Sequence, residues 1–293
     1  MKVSYYPGCT LKTKAKNLED AAVASMAALG IDFEELPRWN CCGAVHSLAD
    51  DDLIHYVASV RDLIRVMEQG SQKVVTLCSM CYNTLARANL LVREDEEKRK
   101  TINDFMDEEM DYHGEVDVLH FLEFLRDEIG WDNLRNKIKV PLNGLKVAPY
   151  YGCTLLRPKD VSIEPPGSLA LLNNFIEVLG GTPVEFSAAS ACCGSYQILG
   201  NPEAALAAVT NILDAAIKSG AEAMVLSCPL CEYNLGEKQE KLLQDEMLSR
   251  EIPTFYFTQL LAISLGLDPE TCRFELNEKA CLELLKSKNF VTL

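Results

Sequence analysis

A five-cysteine pattern is written twice in this chain, and an ordinary hydrophobic core has no use for it. The first copy is Cys9, then Cys41-Cys42-Gly43, then Cys78-x-x-Cys81. The second is Cys153, then Cys192-Cys193-Gly194, then Cys228-x-x-Cys231. The copies are offset by 144 residues at the first cysteine, 151 at the double cysteine and 150 at the closing pair. Such a duplication constrains the chain to fold as two similar units. Its 293 residues suit two domains of ordinary size, expected at residues 1–143 and 144–293. Hydrophobic residues make up 48% of the chain, so each unit can bury a core.

The repeat extends beyond the cysteines. Each half opens on a strand running into Gly-Cys, Val3 to Cys9 and Val147 to Cys153. Helices are predicted over Asn17–Leu29 and Ser168–Leu179. Short strands follow, Asp32–Leu36 and Pro183–Phe186, with Asp32 and Glu34 alternating as on an exposed edge. Longer amphipathic helices are predicted over Asp50–Glu68 and Pro202–Lys218, then apolar strands that deliver Cys78 and Cys228. A further strand and helix close each half: Val116–Leu119 with Phe121–Ile129, and Thr254–Phe257 with Gln259–Leu265. Strands alternating with helices of this length predict an α/β fold, two Rossmann-like lobes with parallel sheets. In open parallel sheets, sites form beyond the carboxyl ends of the strands, where both cysteine sets fall. The lobes are expected to face each other across a cleft, related by an approximate twofold axis. The charge-dense stretch 93–112 reads as a solvated helix face or connection, with partner binding as the alternative.

Five thiols are one more than a tetrahedral zinc or an ordinary cubane cluster takes. Adjacent cysteines diverge in a regular backbone, so Cys41-Cys42 and Cys192-Cys193 suit a larger inorganic core better than one small ion. Thiolates are the usual ligands of iron–sulfur clusters, yet the bacterial ferredoxin run is missing. The glycine after each double cysteine is expected to leave room for the backbone to approach such a core. Zinc remains an alternative. So does thiol–disulfide exchange at the two C-x-x-C pairs, although that leaves Cys9, Cys41, Cys42 and their counterparts without a role. Cys272 and Cys281 stand outside the repeat and are expected to be buried, inert thiols.

The formal net charge of −15 argues against nucleic-acid binding. No apolar run is long enough to span a bilayer, and the first residues enter a strand without a signal-peptide pattern. The expectation is a soluble, cytoplasmic protein. Neither a P-loop nor a G-x-G-x-x-G after a strand is present, so a nicotinamide cannot supply electrons directly.

The doubled pattern, C-x31-CCG-x34-C-x2-C and C-x38-CCG-x33-C-x2-C, resembles the cysteine-rich CCG domain family. With two intact copies over nearly the whole chain, it resembles the heterodisulfide reductase B subunits of methanogenic archaea. The resemblance implies two non-cubane [4Fe–4S] clusters facing a cleft where the mixed disulfide of coenzyme M and coenzyme B is split. Cys9, Cys41, Cys42, Cys78 and Cys81 would ligate one cluster. Cys153, Cys192, Cys193, Cys228 and Cys231 would ligate the other. Two one-electron clusters flanking one S–S bond would meet its two-electron demand, each capturing one sulfur.

The same resemblance implies partners: a ferredoxin-like C subunit and a flavin-containing A subunit, with hydrogenase or formate dehydrogenase upstream. The implied substrate is anionic, so Lys12, Lys14, Arg157 and Lys159, which follow the first cysteines, are candidate substrate contacts, with solvated loop charges as the alternative. His46 is a candidate proton donor to a departing thiolate. His55, His113 and His120 lack ligand spacing, and Tyr5, Tyr6, Tyr150 and Tyr151 read as strand core that could wall the site. The functional alternative is a CCG electron-transfer subunit of another oxidoreductase, quinone-linked or acting on other disulfides or persulfides.

Overall fold

The computed structural model describes residues 2–44 and 52–291. Four parallel strands form the first sheet: β1 (Lys2–Tyr6), β2 (Asp32–Glu35), β3 (Lys73–Thr76) and β4 (Asp117–His120), in the order β2-β1-β3-β4. The second sheet repeats that order as β6-β5-β7-β8, from β5 (Lys146–Pro149), β6 (Thr182–Pro183), β7 (Ala223–Leu226) and β8 (Thr254–Tyr256). The inner strands are buried on both faces, as parallel sheets covered by helices require. Val74, Val75 and all four residues of β7 are buried.

The helices of the first half are α1 (Lys16–Ala28), α2 (Ile54–Glu68), α3 (Ser79–Glu94), α4 (Glu96–Phe105), α5 (Phe121–Phe124) and α6 (Trp131–Arg135). α5 runs on into a π-helical segment, Leu125–Ile129. The second half has α7 (Ala170–Val178), α8 (Pro202–Lys218), α9 (Pro229–Leu235), α10 (Gln239–Gln244), α11 (Phe257–Ser264) and α12 (Lys279–Ser287). α8 starts where its chemistry dictates. The Asn201 side chain accepts from the Ala204 N–H, and Pro202 follows at a position needing no donor.

Most elements lie within two residues of expectation. β1 and β5 stop short of their Gly-Cys pairs, α2 begins at Ile54 rather than Asp50, and β6 pairs only at Thr182 and Pro183 rather than running to Phe186. Pro183 has no N–H to give the ladder, and after Val184 donates to the Val147 carbonyl at 2.8 Å the chain leaves the sheet. β2 is an exposed edge, as Asp32 and Glu34 suggested. In the charge-dense stretch, Asp95 caps α4 by accepting from the Lys98 N–H, and Glu109 ties back to Arg65 at 2.5 Å. The connection reading fits that geometry.

The halves pack reciprocally. α1 lies on α11 of the other half, and α7 lies on α5 in the equivalent way. Phe121 and Phe257, which open the two equivalent helices, meet at a ring separation of 5.8 Å and mark the pseudo-twofold axis. Thr258 Oγ1 donates to the Leu18 carbonyl at 2.9 Å across the same seam. One continuous hydrophobic core joins both halves.

Candidate functional site: ten thiols at the seam

β1 and β5 are each followed by a glycine with left-handed φ, Gly8 at 73° and Gly152 at 64°. These turns place Cys9 and Cys153 at the carboxyl edge of their sheets. β3 and β7 bring Cys78 and Cys228 to the same edge as N-caps of α3 and α9. Cys81 and Cys231 then stand in the first helical turns, whose N–H groups face the sulfurs of the N-cap cysteines. The backbone N–H groups of Leu230 and Cys231 accordingly stabilise a Cys228 thiolate.

The thiols are strung in matching pairs. Cys9 and Cys41 have Sγ atoms 3.6 Å apart, and their counterparts Cys153 and Cys192 3.7 Å. Cys42 and Cys81 are 3.7 Å apart, and Cys193 and Cys231 3.5 Å. Cys78 and Cys228, one from each copy, perturb each other's protonation across the seam. Each set thus has a buried trio and a more accessible pair. Cys42, Cys78 and Cys81 are buried, as are Cys193, Cys228 and Cys231; Cys9, Cys41 and Cys192 are exposed and Cys153 is half-buried. Among the described residues, no three His, Cys, Asp or Glu side chains converge to hold a single metal ion. The donor set is extended, and these ten thiols are the residues able to hold an extended sulfur-ligated core.

Neighbouring thiols set each other's protonation. A hydrogen bond from Cys153 draws Cys192 down to about 6, with help from the Arg157 charge, while Cys153 is pushed up. Cys228 is held low by donation from Cys231 and Cys78. The Cys78 thiol is raised, chiefly by that partnership.

Both double-cysteine loops hang from the same clamp. Tyr6 donates its hydroxyl to the Asn40 carbonyl at 2.8 Å, and Tyr150 donates to the equivalent Ala191 carbonyl at 2.7 Å. The glycines have different neighbours. A Cβ on Gly194 would sit 2.9 Å from the Ala205 Cα of α8, and one on Gly43 would meet the His55 carbonyl and Ala58 of α2. Gly194 therefore makes room for the following helix, whereas a Cβ on Gly43 would be in ordinary contact. It is Gly8 that faces sulfur: a Cβ there would lie 2.9 Å from Cys81 Sγ, and one on Gly152 3.6 Å from Cys231 Sγ.

The remaining candidates are placed as follows. Lys12 is held between Glu19 and Glu35, both at 2.6 Å. Lys14 and Lys159 are exposed. Arg157 is exposed, donates to the Ser190 carbonyl at 3.0 Å and acts electrostatically on Cys192. His46 lies outside the described residues. Tyr5 and Tyr151 are buried, hydrogen-bonded to Glu19 and Glu164. Cys272 and Cys281 are fully buried away from the site, donating to the Gln259 and Thr254 carbonyls.

Sequence reasoning missed the cross-copy contacts. Asn83, two residues beyond Cys81, donates to the Thr154 and Arg157 carbonyls at 2.9 and 2.7 Å, holding the loop that carries the other copy's first cysteine. Tyr196, three residues after Cys193, reaches Met80 Sδ at 3.2 Å. The Ser79 N–H donates to the Ser227 carbonyl at 3.2 Å, and their hydroxyls are 2.6 Å apart. At the equivalent place Pro229 has no N–H, and His120 Nε2 reaches the Leu77 carbonyl instead, at 3.2 Å. The only signal was Ser79 standing where the second copy has a proline.

Comparison with known proteins agrees with this architecture. Residues 3–86 and 147–236 match the cysteine-rich domain family CCG. The chain is 32% identical to the 8-methylmenaquinol:fumarate reductase membrane anchor subunit of Wolinella succinogenes, over 90% of this chain and 92% of that one. It is 29% identical to the ferredoxin:CoB–CoM heterodisulfide reductase B subunit of Methanosarcina mazei, over 97% and 96%. A hypothetical protein from Helicobacter pylori shares the fold, with a TM-score of 0.74 at 12% identity, over 94% of this chain and 51% of that one. Among the described residues no helix is long and apolar enough to cross a membrane. The chain belongs to the cysteine-rich CCG domain family, in the two-copy form that it shares with heterodisulfide reductase B subunits.

Proposed function

We propose that this chain is the disulfide-reducing subunit of a heterodisulfide reductase-type complex, with the coenzyme M–coenzyme B heterodisulfide as substrate. One observation carries the reading: two five-thiol sets of matching sulfur spacing stand on either side of the seam, each with a buried trio and a more accessible pair of thiols. The donor set fits a pair of iron–sulfur clusters. All ten donors are sulfur, adjacent cysteines diverge, and Gly8 leaves a space beside Cys81 that a side chain would fill. The units taken to hold one cluster each are residues 1–143 and 144–293, and the clusters are proposed to be non-cubane because each set has five thiols.

When bound, such clusters supply electrons one at a time. Cleaving the S–S bond consumes two electrons and two protons and releases two thiols, so two adjacent one-electron sites match the demand. The chain's own part is to hold the sites together. Tyr6 and Tyr150 fix the double-cysteine loops, Asn83 fixes the loop after Cys153, and Tyr196 closes over Met80 from the opposite copy. Arg157 beside Cys192 places positive charge at the mouth, where an anionic arm of the disulfide would lie. Electrons would come from a ferredoxin-like C subunit and a flavin-containing A subunit, in the cytoplasm, with hydrogenase or formate dehydrogenase upstream.

The Wolinella relative favours a second reading, a quinol-linked electron-transfer subunit. Iron and acid-labile sulfide analysis of anaerobic protein, with EPR before and after adding the heterodisulfide or either thiol, separates the two. About eight irons and a thiol-dependent signal are expected. Eight irons with a response to a menaquinol analogue alone would transfer the chain to the second reading. Zinc without iron would exclude both.

A further inference from the structure

Tyr196 stands in the loop after the second double cysteine, three residues beyond Cys193, and is half-buried. Its hydroxyl serves the other copy: it crosses the seam and donates to Met80 Sδ at 3.2 Å. Met80 is buried between Cys78 and Cys81 of the first set. The hydroxyl thus lies between one copy's C-x-x-C turn and the other copy's double-cysteine loop. At the matching place after Cys42 the sequence has Val45, which carries no hydroxyl.

The partner of this hydroxyl is unlike that of its neighbours. Tyr5, Tyr6, Tyr150 and Tyr151 all donate to oxygen, in a carboxylate or a carbonyl. A thioether is a weak acceptor, so the bond to Met80 is readily exchanged for one to a charged atom. Positive charge acts at the same place. Arg87, one turn beyond Asn83 on α3, donates to the Tyr56 hydroxyl at 3.1 Å and lies 6.0 Å from that ring. Its charge also acts on the Tyr196 hydroxyl. Burial, then the Cys153 and Cys228 charges, hold the proton on that hydroxyl against the pull of Arg87. Tyr196 is therefore a donor and not a base, beside a cation and next to the second thiol set. An anionic sulfur is the acceptor that suits it.

We propose that Tyr196 is a substrate-contacting residue: its hydroxyl leaves Met80 Sδ and donates to the thiolate sulfur set free beside the second thiol set, with no such donor at residue 45. One hydrogen bond forms and one breaks, and neither a proton nor an electron changes hands. This role rests on the reductase reading and deepens it, because it makes the two ends of the site unequal toward the two product thiols.

The test is anaerobic titration of the iron-loaded chain with coenzyme M thiol and with coenzyme B thiol, each followed by the thiol-dependent EPR signal. The wild type is compared with Tyr196→Phe and Met80→Leu. Tyr196→Phe keeps the ring, so iron content should stay at the wild-type value. The half-saturating concentration of one thiol should rise about tenfold, and that of the other should move less than about twofold. Met80→Leu releases the hydroxyl from its resting partner and should tighten the same thiol about twofold or more. A simple latch between the copies predicts the opposite, since either substitution would loosen both thiols. Should Tyr196→Phe fail to load iron, the sign of the Met80→Leu effect decides. Unchanged binding or equal weakening of both thiols in Tyr196→Phe, or weakening in Met80→Leu, would overturn the proposal and leave the reductase reading standing. No thiol-dependent signal in the wild type would overturn that reading and this role with it.

Discussion

The two thiol sets match in residue type and sulfur spacing, yet their neighbours brace them differently. In the first, Ser59 Oγ donates to the Cys42 carbonyl at 2.8 Å, and Asp62 accepts from the Asn40 N–H at 2.9 Å. In the second, the Cys193 carbonyl takes its bond from Asn234 Nδ2 at 2.8 Å. The tyrosine clamp is common to both. What duplication preserved is the position of the sulfurs; the supports were free to diverge once each carbonyl had some donor. A site held by its geometry and not by a fixed hydrogen-bond network should therefore be symmetric in chemistry and asymmetric in stability.

The largest effect tests the chemical symmetry. Cys78→Ser and Cys228→Ser should each lose about half the iron and essentially all turnover, since either leaves a single one-electron site. Full turnover in one variant, measured with iron content on the same sample, would break the equivalence. Next come the glycines. Gly8→Ala and Gly152→Ala both incur about 1–2 kcal/mol of left-handed strain. Only Gly8→Ala also forces Cys81 Sγ to move, so iron should fall in the first site while Gly152→Ala stays nearly loaded.

The asymmetry at the seam gives a pH signature. Burial lowers the His120 pKa to about 3, so the native ring is neutral while the unfolded one titrates near its ordinary value. The unfolded state then binds more protons below about pH 6.5, and stability present above that pH is lost as pH falls toward 3. At pH 5 the loss should be about 2 kcal/mol, absent in His120→Gln, by denaturant unfolding at pH 7 and 5. The smallest effect concerns the shared clamp: Tyr6→Phe and Tyr150→Phe should each cost about 1–2 kcal/mol, equally, by leaving a carbonyl unpaired. Unequal losses would show that the divergent supports back up one clamp more than the other.

The sequence made the ten cysteines, the alternation of strands and helices and most helix positions legible because these are local or periodic signals. Cys9 to Cys81 can be read without knowing what faces them, and the apolar period of α2 or α8 needs no partner to be seen. The seam could not be read in that way. Asn83 looks like any polar helix residue until the other copy's loop is set beside it. Lys12 looked like a free cation; its carboxylates, Glu19 on α1 and Glu35 on β2, come together only when β1 pairs with β2. His46 lies outside the described residues, so its role rests on sequence alone.

Pro229 has a consequence for how such a protein can be assembled. Two second halves brought together as a symmetric pair would set the Ser227 carbonyl against a residue with no N–H, with Tyr256 standing where His120 makes up the loss in the real chain. The second half has thus become a fitted counterpart of the first and no longer of itself. Fusion in one polypeptide fixes their ratio at one to one, which is the stoichiometry this seam can satisfy.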